Sequence, residues 1–183
     1  MKHIKIAILT SCIVLFSFMS IIFNSCKKDD IKYNDTTLIR PCDGVICFNG
    51  ASCSDGVCVC PKGFEGDKCQ IKWSDKFTGS YNATDDCNIG GNPTYSVNIT
   101  THPDFAYKMK LYNLGIICPA KIIEAEVNPE KTSFFIPLQN TCGNNYINGY
   151  GNINGEFINI YITSRDTITH TGKQCSIILA KNL

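Results

Sequence analysis

Tyr107-Lys108-Met109-Lys110-Leu111 sets three apolar side chains against two lysines at a spacing of two. Successive side chains of an extended chain point to opposite faces, so this stretch predicts a strand with Tyr107, Met109 and Leu111 toward a core and both lysines toward water. The alternation recurs on either side. Tyr95, Val97 and Ile99 carry it, as do Ile123, Ala125 and Val127; Phe134, Ile136 and Leu138; Ile158, Ile160 and Ile162; and Cys175, Ile177 and Leu179. Residues 77–84 and 146–153 complete a set of eight strands. Gly90-Gly91-Asn92-Pro93, Thr101-His102-Pro103-Asp104, Asn113-Leu114-Gly115, Asn128-Pro129-Glu130 and Asn154-Gly155 supply turns between them. The last is the type I′ hairpin signal.

Eight strands with short links favour an antiparallel up-and-down meander, which removes its exposed edges by closing into a barrel. The cysteines agree with that topology. If the first strand runs up, Cys87 ends it at the top, Cys118 lies between strands three and four, Cys142 between five and six, and Cys175 begins strand eight. All four fall at one end. Closure makes the first and last strands neighbours, so Cys87 with Cys175 is expected to staple the seam and Cys118 with Cys142 to tie two top loops; the two other pairings are the alternatives and need longer spans across the mouth. The fold class is therefore mainly β, with residues 77–183 as the barrel domain and an immunoglobulin-like β-sandwich as the alternative.

Residues 42–69 follow a different rule. They hold six cysteines, Cys42, Cys47, Cys53, Cys58, Cys60 and Cys69. So short a segment buries too little surface to offset its conformational entropy, and covalent staples must do so. Six cysteines allow 15 connectivities, and spacing alone selects none. Cys58-Val59-Cys60-Pro61-Lys62-Gly63-Phe64-Glu65-Gly66-Asp67-Lys68-Cys69 resembles the C-terminal signature of the EGF-like family. The resemblance implies Cys42–Cys53, Cys47–Cys58 and Cys60–Cys69 pairs across a two-stranded hairpin, with Gly63 and Gly66 in tight turns and Phe64 as a partly exposed cap. Ile39-Arg40-Pro41 precedes the first cysteine where calcium-binding forms carry acidic residues, and Asp43 and Asp55 are isolated. No calcium, zinc or other metal is expected. The module reads as a spacer, with partner binding through Phe48, Asn49 and Phe64 as the alternative. Residues 70–76 read as a linker.

At the N-terminus, Lys2 and Lys5 precede an uncharged run over residues 6–23, followed by Asn24-Ser25-Cys26-Lys27-Lys28-Asp29-Asp30. The run has the length of a long signal h-region or a short membrane span. Ser25-Cys26 at its end resembles the lipobox of bacterial lipoproteins, which implies a signal peptide over residues 1–25 and acylation of Cys26. The alternatives are an uncleaved anchor or an ordinary secretory signal, and each places the remainder outside the inner membrane. Cys26-Lys27-Lys28-Asp29-Asp30 is similar to an export signal of Gram-negative surface lipoproteins. It implies a lipid-anchored protein on the outer membrane, facing the exterior, with residues 26–41 as tether. Asp35-Thr36-Thr37 and Asp166-Thr167-Ile168 are similar to a bacterial O-glycosylation pattern at Thr36 and Thr167. The order anchor, EGF-like module, β-domain resembles a group of bacterial surface lipoproteins, and the β-domain itself looks lipocalin-like.

The chain has 183 residues and 12 cysteines, a density typical of oxidising compartments. Residues 1–25 hold two of the 17 Lys and Arg and none of the 16 Asp and Glu, which leaves 15 against 16. That balance offers no electrostatic basis for nucleic-acid binding. Catalysis needs a nucleophile with a base, paired acids or a metal cluster. His102 is placed in a bottom turn and His170 in a top loop, and Asp85-Asp86 beside Asn88 reads as a solvated loop, with a cation site at the top as the alternative. The expected function is non-enzymatic binding of a protein or glycan, without cofactor, at the top rim. The alternative is a lipocalin-like carrier of a small apolar molecule.

Overall fold

The computed structural model describes residues 40–87, 93–114 and 121–182. Cys26 and Thr36 lie outside them. Arg40–Leu183 forms one compact unit holding two parts, a six-cysteine module and a barrel.

The module consists of a hairpin, β1 (Ser52–Ser54) with β2 (Val57–Val59), and a second pair, β3 (Phe64–Glu65) with β4 (Ile71–Lys72). Ser54 faces Val57 across the two-residue turn Asp55-Gly56, and both turn residues have positive φ, 50° and 83°. That is the geometry an Asp-Gly turn adopts so that its twist matches the strands. Disulfides join Cys42 to Cys53, Cys47 to Cys58 and Cys60 to Cys69.

Residues 70–76, expected as a linker, instead contain β4 and most of a 3-10 helix, Trp73–Phe77. Trp73 N–H donates to Gly63 O at 2.8 Å, and its indole N–H donates to Phe64 O at 3.1 Å. Ser74, fully buried, donates its hydroxyl to Ala106 O at 3.0 Å. Phe77 was expected in the first strand. It sits below it as a plug, fully buried, its ring edge-on to Phe134 at 5.3 Å between centroids. Tyr81 fixes the plug by donating its hydroxyl to Phe77 O at 2.8 Å, and burial pushes that phenol's pKa up.

The barrel is closed and antiparallel: β5 (Gly79–Asp86), β6 (Thr94–Thr101), β7 (Lys108–Tyr112), β8 (Ile122–Val127), β9 (Ser133–Cys142), β10 (Asn145–Asn154), β11 (Phe157–Asp166) and β12 (Gly172–Lys181). Each strand pairs with the next, and β12 pairs with β5 from Ser176↔Asp86 to Lys181↔Tyr81 to close the seam. Met109, Leu111, Ile123, Ile160, Ile177 and Leu179 point inward and are buried.

Three local expectations are corrected. Leu138 was expected inward but is 70% exposed. The register slips between the Ile147 and Gly149 pairings, leaving Pro137-Leu138 opposite Asn148 alone, and such a bulge shifts the alternation; Pro137 has no N–H for the ladder. The β10–β11 turn is Gly155-Glu156, because Asn154 pairs with Phe157, and only Gly155 of the two has positive φ. That fits a type II′ turn. Tyr107 lies just before β7, half-buried under Lys62, whose Nζ is 3.9 Å from the ring centroid.

Two glycines in β10 make room for the packing. A methyl on Gly151 would run into the ring of Phe134, and one on Gly149 would meet the backbone of Tyr161. Such positions are where one backbone must approach a neighbour closely.

Candidate functional site

Strand direction places the six-cysteine module at the lower end of the barrel, against the β6–β7 and β8–β9 turns. Glu65 of the module meets Lys131 Nζ at 2.6 Å and Lys76 Nζ at 3.4 Å. Its carboxyl is held below the usual carboxylate range chiefly by the hydrogen bond from Lys131. Gly63, at φ 97°, brings its backbone so close to the barrel that an added Cβ would lie 2.8 Å from Tyr107 N. The β6–β7 and β8–β9 side of this end is occupied by contacts within the unit.

At the upper end, Cys87 and Cys175 form a disulfide, both sulfurs' residues being buried, with Cα atoms 4.2 Å apart. Cys118 and the Cys142 side chain lie outside the described residues. Asp85, expected in a solvated loop, is 1% exposed, because the inward alternation of Tyr81 and Ala83 continues through it. Its Oδ2 accepts from the Tyr95 hydroxyl at 3.0 Å, while Oδ1 has no hydrogen-bond partner among the described residues. Thr167 lies on the exposed β11–β12 connection and donates its hydroxyl to Asn144 O at 2.9 Å.

The two histidines of the barrel stand at opposite ends. His102, in the lower β6–β7 connection, accepts the Asp104 N–H at Nδ1 (3.1 Å) and sets Nε2 3.6 Å from Glu124 Oε1. His170 is in the upper β11–β12 connection. Among the described residues, no group of three or more His, Cys, Asp or Glu is arranged to hold a metal ion.

The feature the sequence reading missed is the outer wall of β9 to β12. The register lines up Phe135, Tyr150, Tyr161 and Ser176 as one row across four strands. Tyr150 and Tyr161 stack with centroids 5.0 Å apart and planes at 26°, yet they are 57% and 41% exposed. Phe157 and Ile178 are exposed nearby. Two clefts, of about 310 and 530 Å³, share Tyr161 and Ser176. The first continues over Thr163 and Gln174, the second over Asn159 and Ile178. Among the described residues lining the two, Asp86 is the one that is charged. A third cleft, about 370 Å³, opens at the lower end between Tyr81, Ile153, Ile158 and the β10–β11 turn.

The fold and disulfides define a closed eight-stranded antiparallel β-barrel protein with a disulfide-bonded N-terminal module. No family model and no curated protein matches the chain. Among solved structures it is similar to a redesigned β-barrel, at TM-score 0.43 and 12% identity, over 62% of this chain and 98% of that one.

Proposed function

We propose that this is a lipid-anchored cell-surface recognition protein, in which an EGF-like module forms a rigid foot and the barrel is a head that holds its partner on the outside, without catalysis or cofactor. The observation that carries this reading is the contrast between the two sides of the barrel wall. Inward, Phe77, Phe134, Met109, Leu111, Ile160 and their neighbours form one buried apolar cluster, as in eight-stranded barrels whose interior is filled by side chains rather than by a ligand. Outward, β9 to β12 present stacked aromatic rings that nothing in the described chain covers. Buried apolar side chains contribute roughly 1.5–3 kcal/mol each, and a protein that leaves several aromatic rings in water forgoes that contribution on one face. Rings held on strands of a stapled barrel are also preorganised, which lowers the entropic cost of binding.

The anchoring half of the proposal rests on the lipobox-like Ser25-Cys26 and the charged residues after it. Cys26→Ser should move the protein from the membrane to the soluble fraction; retention in the membrane would count against lipidation. The carrier reading would have to use the half-open lower cleft. Titration with 1-aminoanthracene separates the two. Recognition on the wall predicts no saturable uptake, and carriage predicts one-to-one uptake that Tyr81→Trp reduces.

A further inference from the structure

We propose that the groove between β11 and β12 is a binding site for a neutral glycan, with Tyr161 as its stacking wall and Ser176 as its floor. This rests on the recognition reading above and names its ligand. Because the two clefts share Tyr161 and Ser176, they are adjoining subsites of one groove running along the strands. From Phe157 to Thr163 the wall extends about 20 Å at the rise of a β-strand, long enough for a short oligosaccharide. One face of the Tyr161 ring is covered by Tyr150. On the β12 side its cross-strand partner is the small Ser176, and both clefts lie against these two residues.

The chemistry of the lining selects among ligands. Along β11 the outward positions alternate aromatic and polar, Phe157, Asn159, Tyr161 and Thr163, and Gln174, Ser176 and the apolar Ile178 face them from β12. A pyranose has an apolar C–H face and a rim of hydroxyls that both donate and accept. Tyr161 offers the flat apolar surface for the first. Amides and hydroxyls at the neighbouring positions, each able to donate and accept, suit the second. Protein hot spots combine Trp and Tyr with Arg in well-packed, desolvated pockets, and the described residues of the groove include no Arg. An anionic polysaccharide would need cations, and the described residues of the groove supply none, their one charge being the carboxylate of Asp86. Stacking against Tyr150 fixes the Tyr161 ring before the ligand arrives.

The test is calorimetry on the full-length protein in detergent, with cellohexaose, maltohexaose, mannohexaose and N-acetylchitohexaose as neutral probes and a heparin hexasaccharide as the anionic one. At least one neutral hexaose should bind. Tyr161→Ala should weaken it by about tenfold or more, the loss expected when one stacking ring is removed. Tyr161→Phe should retain binding, and the melting temperatures of both variants should stay near that of the parent. Failure of every neutral probe, preference for heparin, or indifference to Tyr161→Ala would overturn the glycan assignment. A photo-cross-linking residue at position 161, used on intact cells, separates this from the broader reading. A protein captured there without glycan binding would sink the glycan and leave recognition standing. No glycan binding and no cross-link would remove both.

Discussion

Replacing Cys87 and Cys175 together by alanine removes the bridge across the barrel seam, and the structure sets the size of the effect. The two residues are 88 apart in sequence. Cross-linking a loop of that length removes unfolded-chain freedom equivalent to roughly 4.6 kcal/mol at 25 °C. The seam itself is hydrogen-bonded from Ser176↔Asp86 to Lys181↔Tyr81, so the folded geometry does not depend on the bridge. The loss therefore falls on the unfolded state. Urea unfolding followed by far-UV circular dichroism should show a lower midpoint and a steeper slope, because the uncrosslinked chain exposes more surface when it unfolds. Cys60→Ala with Cys69→Ala is the comparison, since that bridge spans only 9 residues and the same relation gives roughly 2.6 kcal/mol. A seam variant that loses less than the module variant, or whose slope does not rise, would refute the reasoning that the bridge acts by constraining the unfolded chain.

Three further outcomes follow from packing and charge. Gly151→Ala forces a methyl against the Phe134 ring and should cost about 1–3 kcal/mol, the usual penalty of overpacking, measured by chemical denaturation. Gly63→Ala combines a strained positive φ with a clash at Tyr107, so hydrogen exchange should quicken in residues 104–108 and around Trp73 while the barrel strands β10 to β12 stay protected. Glu65 has a carboxyl pKa below its ordinary 4.5, so its stabilising contribution is complete above that value and is lost as pH falls through the lowered one. The same junction should thus loosen below about pH 4.5, and Glu65→Gln should abolish that acid dependence in hydrogen exchange.

The barrel was legible because one side of each strand is apolar. Met109 with Leu111 and the Ile158-Ile160-Ile162 series needed only the period of two, and both series are buried. What escaped depended on partners distant in sequence. Leu138 follows the alternation on paper, but the bulge at Pro137-Leu138 is set by pairing with β10. Phe77 is apolar and precedes the first strand, and only Phe134 across the barrel makes it a plug. Asp85 reads as a turn residue beside Asp86, yet the inward face continues through it to Tyr95. The outer wall was hidden for a related reason. Tyr161 stands out between Ile160 and Ile162, but nothing local says that it stacks on Tyr150, since that depends on where the Gly155-Glu156 turn sets the register. Shifting the turn by one residue from Asn154-Gly155 would place different side chains opposite each other. Symmetry of Tyr150 and Tyr161 about the turn is the signal that would have found the pair.

If the partner is held outside a filled barrel, the tyrosine rings report it directly. With ring-labelled tyrosine, the nuclear magnetic resonance signals of Tyr150, Tyr161 and buried Tyr81 can be followed during titration with the neutral hexaoses. The Tyr150 and Tyr161 signals should shift together in a saturable way while Tyr81 stays in place. A titration that moves Tyr81 and leaves both wall tyrosines unchanged would contradict recognition on the wall.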